Sequence, residues 1–143
     1  MIASAAHREF EKVFRARADT SELAAIRRFV EQIALEVALD VERIFDLKVA
    51  VSEACANALE HAGCESGWLE VCARCEGHRL TFIITDRGLF KPPSAERREC
   101  PNRGMGLPLM VALMDEVSFA RTPGGGTQVS LSVFLDKDAT LSL

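Results

Sequence analysis

Residues 51–62 read Val-Ser-Glu-Ala-Cys-Ala-Asn-Ala-Leu-Glu-His-Ala, and this stretch decides the architecture. Glu53, Asn57 and His61 recur at four-residue steps. On an α-helix that spacing lines a carboxylate, an amide and an imidazole along one face. Ala54, Ala58 and Ala62 recur at the same step on the neighbouring face, continuing an upstream stripe of Ile44, Leu47 and Val51. The end of that stripe is all alanine, so something must approach the helix closely. Asp40 predicts its cap and Gly63 its stop.

Working outward, Leu23, Ile26, Val30, Ile33 and Val37 recur at three- and four-residue steps, which predicts an amphipathic helix over 20–38. Asp19 followed by Glu22 resembles a capping box before it. Upstream, Phe10 and Phe14 fall on one side of an extended segment, and 8–17 reads as a strand. After Gly67 the apolar period changes from 3.6 to 2. Residues 68–75 and 79–86 then form an antiparallel hairpin around Glu76 and Gly77. A loop of about 17 residues, Arg87 to Arg103, is long enough to be a functional loop or lid. Gly104-Met105-Gly106 opens a helix of about ten residues, with Pro108 expected in its first turn. A second hairpin, 117–121 and 127–135, turns around Pro123-Gly124-Gly125-Gly126. The order of elements predicts an α+β two-layer sandwich of one mixed, mostly antiparallel sheet with helices on a single face. A single domain is expected over 1–143, its core about 8–135.

Composition bounds the function. The chain has 143 residues, 48% hydrophobic and 27% charged, enough for one buried core. The formal net charge of −4 argues against a dedicated nucleic-acid binder. No apolar run reaches the roughly 20 residues of a membrane helix, and the N-terminus lacks a secretory stretch. Five cysteines without framework spacing fit reduced thiols and a cytoplasmic location.

Neither a P-loop nor a dinucleotide fingerprint occurs. Four other segments carry chemical potential. Asn57 offers a hard oxygen to Mg²⁺, and Glu53, one turn away, can accept a proton from an attacking hydroxyl. Asp86 in Thr85-Asp86-Arg87-Gly88 ends a strand, where a carboxylate can accept from an adenine amino group beside a glycine lacking Cβ. Asn102-Arg103-Gly104-Met105-Gly106 leads into a helix whose first amides can meet phosphate, with Arg103 adding charge. Gly125-Gly126-Thr127 opens the last strand.

In this order and spacing the four segments resemble the GHKL, or Bergerat-fold, ATPases. Residues 51–62 and Arg103-Gly104-Met105-Gly106-Leu107-Pro108-Leu109-Met110 look most like the anti-sigma-factor serine/threonine kinases of bacterial partner-switching systems. The resemblance implies an ATP- and Mg²⁺-dependent kinase that phosphorylates a STAS-domain anti-sigma-factor antagonist and in many cases sequesters a sigma factor. It makes Glu53 the general base and Asn57 the Mg²⁺ ligand. Asp86 would read adenine with Gly88 beside the base. Arg103, Gly104 and Gly106 would sit at the phosphates, and Thr127 would support the adenine end. Phe90 stands where the superfamily's second glycine is usual. A regulator-sequestering protein without kinase activity, and an ATPase domain severed from a histidine kinase, are the alternatives. A homodimer is left open; neither nucleic acid nor membrane is expected as a partner.

Two further features invite chemistry. Cys72 and Cys75, with His78, suggest zinc, but residues three apart on a strand point to opposite faces and no second cysteine pair completes the set. Arg97, Arg98 and Arg103 form a basic cluster balanced in part by Glu96 and Glu99. Met105, Met110 and Met114 read as core filler.

Overall fold

The computed structural model describes residues 9–17, 19–62, 68–86, 103–122 and 127–135, and for 59–62 and 103–107 the backbone alone. Gly63, Gly88, Phe90 and the greater part of the loop leading to Arg103 lie outside them. Strand β1 spans Phe10–Arg17, helix α1 Leu23–Glu36 and helix α2 Val41–Ala62. Strands β2 (Trp68–Glu76) and β3 (Arg79–Asp86) follow, then helix α3 (Arg103–Leu113) and strands β4 (Glu116–Arg121) and β5 (Thr127–Phe134).

The sheet order is β1-β2-β3-β5-β4. Each of the four strand pairings is antiparallel, so the expected mixed character does not occur among the described residues. The helices occupy one face: α1 packs on β1 and β2, α2 on β3 and β5, and α3 on α2 and β4. Strand alternation explains the two faces. Leu80, Phe82 and Ile84 of β3 point into the helix layer and are buried, whereas Thr81 and Ile83 between them face outward and are only partly covered. Phe82 anchors the core. The Phe29 ring of α1 meets it edge-on at 6.3 Å and stacks on Phe14 of β1 at 5.4 Å.

Local chemistry explains where the helices begin. Asp40 Oδ1 accepts from the Arg43 amide at 2.8 Å, capping α2 as its sequence predicts. The α2 stripe is buried at Ile44, Leu47, Val51, Ala54 and Ala58. At α1 the expectation shifts by one turn. Asp19 Oδ1 accepts from the Ser21 amide at 3.1 Å, but the turn it caps is the 3₁₀ segment Thr20–Glu22, and α1 starts only at Leu23. Ala38, at φ 61°, closes α1 in the left-handed region with its amide on the Leu35 carbonyl. Alanine tolerates that conformation at a cost of about 1 kcal/mol.

The β2–β3 turn is tight: Glu76 pairs with Arg79, and Gly77 takes φ +60° between them. Pro108 corrects another expectation. Because α3 already starts at Arg103, Pro108 sits in its second turn, where it cannot donate to the Gly104 carbonyl.

The outward sheet face bears a shallow concavity of about 600 Å³, lined by residues that include Arg74, Arg79, Thr81, Ser118 and Ser130. It lies across the sheet from the helix layer. Among the described residues no helix is long and apolar enough to cross a membrane.

Candidate functional site

Two hydrogen bonds at Asp115 tie the start of α2 to the end of β5. Arg43, near the start of α2, donates from Nη2 to Asp115 Oδ2 at 2.7 Å, and the same oxygen accepts from the Phe134 amide at 2.7 Å. Phe134 ends β5 and pairs with Arg79, the first residue of β3. The start of α2, the start of β3 and the end of α3 thus meet at one end of the sandwich. From there α2 advances over β3, on which it packs. Glu53 and Asn57 lie about 15 and 21 Å along it from Arg43 at 1.5 Å per residue. Asp86 ends β3 about 24 Å from Arg79 at 3.4 Å per residue. Helix α3, running back toward Asp115, starts at this same far end.

The described parts of the four sequence segments therefore lie toward the end of the sandwich away from Asp115. Glu53 and Asn57 are partly buried on one side of α2, next to buried Ala54 and Ala58. Asp86 is only 7% exposed and continues the inward row of Leu80, Phe82 and Ile84. Thr127 begins β5 on the same inward row as Val129, Leu131 and Val133. The β3–β5 register ends at Thr85↔Gln128, so one further step sets Asp86 beside Thr127 under the helices. Arg103, Gly104 and Gly106 form the first turn of α3, described by backbone only. Gly88 and the side chain of His61 lie outside the described residues.

An acid on an inward row, flanked by a hydroxyl and facing a helix that bears a carboxylate and an amide, can recognise an amino group while a helix start meets an anion. That is the arrangement a nucleotide needs, its base held at a strand end and its phosphates at a helix N-terminus.

Cys55, Cys72 and Cys75 are outside this chemistry. Cys75 points inward opposite Leu80, while Cys72 faces outward and donates to Glu11 Oε2 at 3.3 Å, so the two lie on opposite faces. Burial pushes the Cys55 thiol, on the α2 side facing the core, up to about 12. Burial, followed by the hydrogen bond to Glu11, raises Cys72 to about 11, and burial raises Cys75 as well. That same contact from Cys72, with Arg74 beside it, holds the Glu11 carboxyl below the usual range. At pH 8 Cys55, Cys72 and Cys75 are expected to alkylate at least tenfold more slowly in the native protein than in urea, since the thiolate is the reactive form. Mass-spectrometric mapping after iodoacetamide checks this; equal labelling in both states would contradict it.

Sequence reasoning passed over a pair that ties the start of α2 to the residue beyond α3. Arg43 and Asp115 stand 72 positions apart, and neither sits in a motif.

Comparison with known proteins agrees with this fold. Residues 16–133 match the histidine kinase-like ATPase domain. The chain belongs to that family. Among its relatives is an anti-sigma F factor of Thermoanaerobacter sp. (strain X514), 32% identical over 122 residues, covering 78% of this chain and 85% of the relative. Another is the serine-protein kinase RsbW of Bacillus licheniformis, 34% identical over 127 residues, covering 79% and 78%. In fold the chain resembles a crystal structure of RsbU and RsbW domains from Mycobacterium tuberculosis, with a TM-score of 0.68 at 22% identity. That match covers 88% of this chain but only 32% of the larger one.

Proposed function

We propose that the chain is an ATP- and Mg²⁺-dependent protein serine/threonine kinase of a cytoplasmic partner-switching pathway. Its substrate is a STAS-domain anti-sigma-factor antagonist, and a sigma factor is a second partner. The observation that carries this reading is the convergence of Glu53, Asn57, Asp86, Thr127 and the start of α3 at one end of the helix layer. Membership of an ATPase domain family and the names of the relatives support it.

The residues present fit the ligands. Asp86, nearly enclosed, accepts from the adenine amino group, and Thr127 on the adjoining strand adds a hydroxyl. The amides of the first α3 turn, with Arg103, hold the phosphates. Asn57 would hold Mg²⁺, which when bound neutralises phosphate charge and leaves much of its shell to water and phosphate oxygens. Glu53, one turn earlier, takes the proton from the substrate hydroxyl as that oxygen attacks the terminal phosphorus, whose bond to the β,γ-bridging oxygen breaks to release ADP. Positioning and charge neutralisation supply most of the acceleration in such a transfer.

Mg²⁺-ATP at 100 times its Kd is expected to stabilise the native state by about 2.7 kcal/mol and raise Tm by several degrees. Differential scanning fluorimetry with calorimetry checks this, and no shift at millimolar nucleotide would remove ATP from the assignment. Incubation with labelled ATP, Mg²⁺ and a STAS-domain protein tests the transfer. Labelling on serine or threonine is the expected result; nucleotide binding without labelling would leave a binding protein rather than a kinase.

A further inference from the structure

We propose that Asp115 is a positioning residue for the nucleotide site, acting from the opposite end of the molecule by locking α3 to α2 and β5. The inference rests on the proposed nucleotide reading and concerns how that site is held.

One carboxylate oxygen gathers three elements. Asp115 Oδ2 accepts from Arg43 of α2 and from the Phe134 amide ending β5, each at 2.7 Å, while the Asp115 amide donates to the Ser132 carbonyl at 3.0 Å. Each element so joined carries part of the candidate site at its other end: Glu53 and Asn57 on α2, Thr127 on β5, and Arg103 to Gly106 on α3.

Helix α3 needs such a clamp. Its end is buried through Met110 and Met114, whose unbranched thioether chains fill space without fixing an orientation. Leu109 and Val111 beside them stay exposed. Pro108 removes one helical hydrogen bond in the middle of the element. Soft packing plus a missing bond leaves the directional, ionised contact at Asp115 to set the angle of α3. The lever is long. A swing of about 10° at Asp115 displaces the α3 start, about 16 Å away, by about 3 Å. Phosphate contacts lose their geometry over shifts of that size.

Burial alone would raise the Asp115 carboxyl, but the Phe134 amide and the Arg43 guanidinium together hold it below the usual range. Around this contact stand Arg79, which pairs with Phe134 and bonds Glu116 at 2.6 Å, and His78, whose carbonyl accepts from the Leu135 amide. The clamp is therefore engaged at every pH above the ordinary carboxylate value and opens only as pH falls through the lowered one.

The test compares the full-length protein with Asp115→Asn, Arg43→Met and Arg43→Lys, none of which alters a residue assigned to nucleotide or substrate. Amide hydrogen exchange is measured without nucleotide. Mg²⁺-ATP affinity is measured by calorimetry, and single-turnover transfer at saturating ATP. Asp115→Asn and Arg43→Met are expected to speed exchange over residues 103–110 while leaving the β2–β3 hairpin unchanged. Affinity should weaken about five- to twentyfold, with saturated transfer within about twofold, because bound nucleotide restores the angle at the expense of affinity. Arg43→Lys, supplying the single bond that Arg43 makes, should recover most of the loss. Unaltered exchange over 103–110, or native affinity in both variants despite a lower Tm, would overturn the proposal and leave Asp115 a stabilising contact only. If the unaltered protein binds no nucleotide, the kinase reading fails by itself, and the exchange pattern still decides the clamp.

Discussion

Replacing Glu53 with Gln is expected to slow phosphoryl transfer by about 10²–10⁴-fold while leaving ATP affinity and partner binding nearly intact. The amide keeps the shape and much of the hydrogen bonding of the carboxylate but cannot accept the hydroxyl proton. General-base assistance is worth that factor, about 3–5 kcal/mol of barrier. Glu53 is partly buried on α2, so the swap exposes no core surface and should leave Tm close to native. Single-turnover transfer to the STAS-domain substrate, with calorimetry in parallel, separates the outcomes. Unchanged transfer would take Glu53 out of the mechanism. An equal loss of nucleotide affinity would assign it to the metal's water shell instead.

Asp86→Asn carries the second large effect. The carboxylate is only 7% exposed and takes the inward position at the end of β3, so its partner in the complex is read with little competition from water. Its replacement presents an NH₂ toward the adenine amino group, donor against donor. A hydrogen bond to a charged group is worth about 1.5–3 kcal/mol, so ATP affinity should fall about 10–150-fold. Discrimination should fall with it: guanine offers a carbonyl where adenine offers an amino group, so the variant should lose most of its preference for ATP over GTP. Competition binding with both nucleotides measures this. A variant that binds ATP normally would place the adenine elsewhere.

The fold was legible where a residue's neighbours in sequence are also its partners in space. The Asp40 cap, the α2 stripe and the Gly77 hairpin depend on contacts a few positions apart, and each stands as its pattern predicts. Errors arose at boundaries. Asp19 and Glu22 have capping-box spacing, but the turn between them closes as 3₁₀, moving the start of α1 to Leu23. Pro108 was expected in a first turn, but it is the sixth residue of a helix that starts at Arg103, past the 3.6 residues of that turn. Strand direction was not readable either, since the β3–β5 pairing spans the whole α3 segment. The candidate site divides in the same way. Glu53 and Asn57 announce themselves by helical spacing, and Asp86 and Thr127 by their places at strand ends. What places them near one another is strand register and the packing of α2 on β3 and β5, which depend on tertiary arrangement and leave no local trace.

The side of the sheet turned away from the helices bears on how a substrate protein would be accommodated. On the proposed kinase reading, a protein presenting a hydroxyl to Glu53 comes in along the strand axes, against the tip of the sandwich. Such an approach spares the broad outward surface carrying Thr81, Ile83 and Ser130.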